Sequence, residues 1–286
     1  MSFAAAANFY RKELRMLFSE GQRIRIVYRS SPDILLSPHD RVDSLIVFDS
    51  SYNPPTVAHL GLVRKPIGLV TTSARSKTVI WVLLMLGAKN ADKPSTPAAL
   101  EERLAMMELF SRSVTASAPS EQVQIKVAIA ITPFARFIDK AEAVADAFPG
   151  VQEQEYLTGF DTLIRLLDSK YYPGQSLSTA LDKFMSQCSI VCYIRDSPSY
   201  GTASEQQSYV DDIGNGKNDQ IPRAWASKID LRPYEDNTEI FRKLPSASLA
   251  CSLDLSLVSS TSARDAAKYG KVSSIYVFHF SSRDGW

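Results

Sequence analysis

Cysteine is scarce in this chain. Only Cys188, Cys192 and Cys251 occur in 286 residues. Their odd number, with no CxxC pair and no Cys/His cluster, argues against a disulfide frame and against zinc. Charge imbalance is also missing: Lys and Arg total 32 against 31 Asp and Glu, a formal +1, so no general drive toward nucleic acid or an anionic membrane is expected. No uninterrupted apolar run reaches the roughly 20 residues that a membrane helix needs. Met1–Ala7 is small and uncharged before Arg11, Lys12 and Arg15, without the basic-then-apolar order of a secretory signal. These absences lead to the expectation of a cytoplasmic and/or nuclear protein with reduced, buried thiols, no nucleic-acid partner and no membrane. The apolar fraction of 45% is ordinary and allows a sizeable core.

What is there centres on Ser44–His59. Leu45–Phe48 is a short apolar run, long enough for a buried strand and too short for a helix. Asp49-Ser50-Ser51 adds small polar groups, and Asn53-Pro54-Pro55 breaks regular structure. Thr56 suits an N-cap, followed by Ala58, His59, Leu60 and Leu62 on a helix. Strand, polar turn and helix follow one another. Ligands bind at the carboxyl ends of strands in open α/β sheets, and a helix start offers free N–H groups to phosphate. Thr56 and His59, three apart, share the first helical turn. The helix is expected to run through Val63 and to break or kink at Pro66.

Other elements repeat the α/β alternation. Asn8–Ser19 reads as an amphipathic helix, and Ile24–Tyr28 as a short strand. His39 lies in a charged loop and reads as a surface residue. Lys77–Leu86 reads as a buried strand, Gln122–Ile131, alternating and then apolar, as a further strand, and Ala98–Ser111 and Arg136–Phe148 as helices. In Ala98–Ser111, Leu100, Leu104, Met107 and Leu109 or Phe110 face inward. Tyr156–Asp161 is a second strand–turn–helix, where Gly159 lets a base or ribose approach and Asp161 can accept from hydroxyls. Tyr171–Gly174 is an aromatic turn, Ser178–Met185 a short helix, and Cys188–Arg195 a strand with Arg195 at its carboxyl end. Ser197–Tyr209 is helical in part, and Asp211–Gln220, rich in Gly, Asn and Asp, reads as a mobile loop. Ile221–Tyr234 and Glu239–Leu244 show no clear pattern. His279 lies in the apolar run Ile275–Phe280 and reads as structural.

Late in the chain, Val258-Ser259-Ser260-Thr261-Ser262-Ala263-Arg264 reads as a hydroxyl-rich helix start. Ser260 and Arg264, four apart, share a face. Hydroxyls, free N–H groups and a guanidinium there suit a triphosphate.

Ser50-Ser51-Tyr52-Asn53-Pro54-Pro55-Thr56-Val57-Ala58-His59 resembles the motif of the nucleotidyltransferase superfamily, Gly-x-Phe-Asn/Asp-Pro then His/Thr-x-x-His. Ser260-Thr261-x-x-Arg264 is similar to its Ser-Ser-Thr-x-x-Arg ending. The branch with Ser-Phe-Asn-Pro and Thr-x-x-His is that of the nicotinamide mononucleotide adenylyltransferases, in its divergent fungal-type form. Ser50 stands where the family has Gly. The resemblance implies a Rossmann-like α/β fold, a central mainly parallel sheet with helices on both faces. It implies one nucleotidyltransferase domain over 1–286: an N-terminal extension 1–40, a catalytic core 41–270 and a tail 271–286.

It also implies adenylyl transfer from ATP, with Mg²⁺ held mainly by ATP and water and no dedicated protein metal site. The acceptor would be nicotinamide mononucleotide, forming NAD and pyrophosphate. His59, Thr56 and Arg264 take the catalytic roles. Ser50, Ser51, Tyr52, Asn53, His59, Lys93, Gly159, Asp161, Ser260, Thr261 and Arg264 line the ATP site. Ser51, Tyr172 and Arg195 line the acceptor site. A homo-oligomer is compatible with the sequence. Two other readings stand beside this one: transfer of an adenylyl or cytidylyl group to another phosphorylated acceptor such as phosphopantetheine, and a nucleotide-binding protein with decayed catalysis, for which Ser50 and Pro66 speak.

Overall fold

Apolar runs and amphipathic stretches alternate along the chain, and strands and helices follow that alternation. The computed structural model describes residues 2–32, 41–71, 78–89, 98–194 and 199–233. They fall into two compact units that divide between Asp49 and Ser50 and again between Ala135 and Arg136.

The unit holding the first 32 residues and Ser50–Ala135 contains α1 (Phe3–Ser19), β1 (Arg25–Arg29), α2 (Val57–Thr71), β3 (Thr78–Gly87), α3 (Leu100–Thr115) and β4 (Val123–Thr132). The intervening strand β2 (Val42–Asp49) belongs to the other unit. β3 and β4 pair in parallel over their whole lengths, from Thr78↔Val123 to Gly87↔Thr132. The unbroken apolar stretches Val82–Leu86 of β3 and Val127–Ile131 of β4 fit parallel strands buried on both faces. β1 pairs with β4 antiparallel. α1 packs on α3, and the Tyr10 hydroxyl donates to Glu108 Oε2 at 2.8 Å. Leu104, Met107 and Phe110 form the inward stripe of α3, while Leu100 and Leu109 are half-buried.

The other unit contains β2, α4 (Phe137–Ala147), β5 (Val151–Gly159), α5 (Phe160–Leu166), α6 (Leu177–Gln187), β6 (Cys188–Ile194), α7 (Ala203–Gly214) and β7 (Ile229–Pro233). Its four strands lie in the order β2-β5-β6-β7, all parallel. Phe137, Tyr156 and Phe184 stack edge to face or tilted at centroid distances of 5.3–6.4 Å, tying α4 and α6 to β5. Of the strand pairings within the two units, only β1–β4 is antiparallel among the described residues. This is the α/β, mainly parallel class expected from the sequence.

Two expectations need correction. α2 does not break at Pro66 but runs from Val57 to Thr71 through it. Proline removes one helical hydrogen bond and costs about 3 kcal/mol. Leu60, Val63 and Ile67, on both sides of it, are fully buried, and each such side chain contributes about 1.5–3 kcal/mol, so packing outweighs the defect. Nor is Asp211–Gln220 wholly loop: α7 extends to Gly214. It is launched by a capping box in which Thr202 Oγ1 accepts from the Glu205 N–H and the Glu205 carboxylate accepts from the Thr202 N–H. The unpatterned stretch Ile221–Tyr234 holds a 3-10 turn, Arg223–Lys228, and β7.

Candidate active site

The turn after β2 is organised by His59. Thr56 caps α2, its carbonyl accepting from the Leu60 N–H at 3.3 Å. The His59 imidazole folds back onto the cap: the Thr56 N–H donates to Nδ1 at 3.0 Å, and Thr56 Oγ1 lies 2.7 Å from the same nitrogen. A capping box normally uses Glu or Gln three residues past the cap; here an imidazole takes that place. A backbone N–H can only donate, so Nδ1 carries the lone pair and the ring proton sits on Nε2. Nε2 faces Ser50 Oγ at 3.1 Å, so the hydroxyl oxygen accepts from Nε2–H.

A serine beside a histidine usually suggests a nucleophile and its base. This pair cannot act that way, because the nitrogen facing Ser50 is already protonated. It is a donor poised for an acceptor.

The backbone is held as firmly. The Ser50 N–H donates to the Met85 carbonyl at 3.3 Å. Tyr52 adopts φ +44°, the left-handed region that bulky residues rarely occupy and that costs about 1–3 kcal/mol. Its ring is fully buried, 5.6 Å from the His59 ring and 6.0 Å from Phe110 by centroids. Burial of the ring fixes the backbone from which Ser50 and Ser51 project. Thr56 and Asn53 are buried, Ser50 and His59 half-buried, and Ser51 exposed. Of the three catalytic residues named from the sequence, His59 is half-buried and Thr56 buried, and Arg264 lies outside the described residues.

In the other unit, β2 ends at Asp49, whose carboxylate pairs with Lys140 Nζ of α4 at 2.5 Å. Both side chains are under a tenth exposed, and the ammonium lies 5.5 Å from the Phe137 ring centroid. Sequence reasoning missed this pair. Its partners are 91 residues apart, and nothing in the spacing links them. The second strand–turn–helix places Gly159 at the N-cap of α5, with Asp161 in its first turn. A Cβ on Gly159 would stand 2.9 Å from Asp161 Oδ1, so the bare glycine lets that carboxylate fold over it. Asp161 is partly exposed, with Arg165 at 4.0 Å. Tyr172 is buried, its hydroxyl donating to the Leu166 carbonyl at 2.9 Å, and burial raises its phenol well above the ordinary range. Tyr171 beside it is half-buried under the Lys170 ammonium. Burial also pushes the Cys188 and Cys192 thiols up to about 12, which makes them inert at neutral pH.

Lys93, Arg195, Ser260, Thr261 and Arg264, together with His39, His279 and Cys251, lie outside the described residues. Among the described residues no helix is long and apolar enough to cross a membrane, and no group of three or more His, Cys, Asp or Glu could hold a metal ion.

No protein-family model matches the chain. A curated relative in Schizosaccharomyces pombe (strain 972 / ATCC 24843), named "Putative nicotinamide mononucleotide adenylyltransferase", is 36% identical over 211 residues, spanning 73% of this chain and 76% of that protein. The chain belongs to the nicotinamide mononucleotide adenylyltransferase family. It is thereby a nucleotidyltransferase. Solved structures similar to it include the Plasmodium falciparum nicotinic acid mononucleotide adenylyltransferase complexed with NaAD, at 11% identity and TM-score 0.43, and the same enzyme complexed with APC, at 12% and 0.41. Each alignment covers 78% of this chain and 83% of the other.

Proposed function

We propose that the chain transfers the adenylyl group of ATP to nicotinamide mononucleotide, releasing NAD and pyrophosphate. The observation that carries the reading is the direction of the His59 proton. With Nδ1 tied to Thr56, the imidazole is a hydrogen-bond donor through Nε2. Adenylyl transfer asks for a donor of this kind. The acceptor's 5′-phosphate displaces pyrophosphate from the α-phosphorus in line, charge grows on the phosphoryl oxygens, and the protein positions and neutralises.

In this reading His59 Nε2–H donates to an α-phosphate oxygen, and Thr56 is the positioning residue that fixes the imidazole. The positive end of the α2 dipole favours the same anion. Ser260, Thr261 and Arg264 hold the β and γ phosphates, with Lys93 assisting. Gly159 and Asp161 contact the adenosine, and Ser51, Tyr172 and Arg195 the acceptor. Magnesium, brought in on ATP, supplies further neutralisation of phosphate charge.

The test uses the purified full chain with ATP, Mg²⁺ and each of three acceptors: nicotinamide mononucleotide, nicotinic acid mononucleotide and phosphopantetheine. Equimolar NAD and pyrophosphate with the first is the expected result. Product with phosphopantetheine alone moves the enzyme to another acceptor class, and nucleotide binding without any product identifies a protein whose catalysis has decayed. Arg264→Ala should raise KM for ATP; unchanged ATP kinetics would remove Arg264 from the triphosphate site.

A further inference from the structure

Within the motif turn, one hydrogen bond has no positional work left to do. His59 Nδ1 is held from two sides, by the Thr56 N–H at 3.0 Å and by Thr56 Oγ1 at 2.7 Å. These contacts set both the ring's orientation and its tautomer. The ring is packed as well, with the buried Tyr52 ring 5.6 Å away. The third contact, Nε2–H to Ser50 Oγ at 3.1 Å, is therefore not needed to aim the imidazole. It uses the N–H that the reaction requires.

Ser50 is well placed to do so. Its backbone N–H is anchored on the Met85 carbonyl at the far end of β3, so its side chain is presented from a fixed point. Ser50 and His59 are both half-buried, and the pair is open to a ligand arriving from solvent. Resting on the adenylyl-transfer reading, we propose that the Ser50 hydroxyl occupies the position on His59 Nε2–H that an α-phosphate oxygen takes during the reaction, so that Ser50 sets the affinity for ATP by competing with it.

The competition is unequal. A phosphate oxygen is a charged acceptor, and hydrogen bonds to charged acceptors are shorter and roughly twice as strong as neutral ones. ATP displaces the hydroxyl but gives up part of its binding energy in doing so. The net worth of a neutral hydrogen bond corresponds to about two- to tenfold in an equilibrium constant, which is the expected size of the effect. A residue without a hydroxyl at position 50 removes that competitor for Nε2–H.

Ser50→Ala and Ser50→Gly should each lower KM for ATP by about two- to tenfold, with kcat changed less than KM. Ser50→Thr, which keeps the hydroxyl, should stay near wild type. A higher KM in Ser50→Ala, or one equal to wild type in an active enzyme, overturns the proposal. A second readout does not depend on turnover. In ¹⁵N-labelled protein the His59 Nε2–H resonance should move in Ser50→Ala while Nδ1 stays put, and in wild type it should move when α,β-methylene-ATP with Mg²⁺ is added. A bound analogue that leaves Nε2 unchanged overturns the competition. Failure of wild type to make a dinucleotide from any mononucleotide defeats the functional reading instead, and the resonance of Nε2–H still reports whether Ser50 holds it.

Discussion

The two strand–turn–helix junctions solve the same problem by opposite means. At Ser50–His59 the turn is made by side chains: an imidazole caps the helix, a buried tyrosine holds a left-handed backbone, and a hydroxyl meets Nε2–H. At Gly159–Asp161 the turn is made by the lack of one, because only a hydrogen on Gly159 clears the Asp161 carboxylate. The first junction is therefore rigid and directional, suited to aiming one proton at one oxygen. The second leaves Asp161 partly exposed with a loose Arg165 partner, suited to a contact that adjusts to its ligand. Directional groups need a network to hold them; adaptable ones need only room.

The comparison can be broken at four points. The largest effect is expected at the end of β2. Lys140→Met strands the buried Asp49 carboxylate and should cost about 3–5 kcal/mol in chemical denaturation, with Asp49→Asn in the same chain restoring most of it. A loss below 1 kcal/mol would mean that water reaches the pair. Next, His59→Ala should lower kcat by about 10²–10³ and cost only about 1 kcal/mol of stability as a lost cap; steady-state rates and a melting curve on one preparation check both. Thr56→Val keeps the backbone N–H but drops Oγ1, and a loss of about 0.5–1.5 kcal/mol with a partial fall in kcat is expected. If it matches His59→Ala in rate, the hydroxyl rather than the N–H sets the imidazole. The smallest effect belongs to the second turn. Gly159 has φ −89°, which alanine accepts, so Gly159→Ala should shift stability by less than about 1 kcal/mol while displacing Asp161. A raised KM for ATP with kcat preserved would show that Asp161 needs its present position.

Much of this was legible in the chain. An unbroken apolar run marked β3, an alternating and then apolar one marked β4, and the polar turns after β2 and β5 marked where those strands end. Thr56 and His59 could be paired from their spacing, because a helix brings residues three apart together. The Asp49–Lys140 pair could not, since only the fold joins α4 to the end of β2. Pro66 misled because propensity is local while the burial of Leu60, Val63 and Ile67 is not. Asp211–Gly214 misled for a different reason: its composition suits a loop, but the Thr202-x-x-Glu205 cap upstream had already committed the helix. That signal was in the sequence and could have been used. The direction of the His59 proton was beyond reach, since it depends on which backbone N–H faces Nδ1.

The antiparallel strand β1 has a consequence for the health of the protein in solution. It is the outermost strand beside β4, whose segment Val127–Ile131 is almost entirely apolar and buried. Open strand edges of that composition recruit other chains. By lying against β4, the first 30 residues act as a built-in guard against aggregation, and a chain trimmed past Arg29 should precipitate before it loses its nucleotide chemistry.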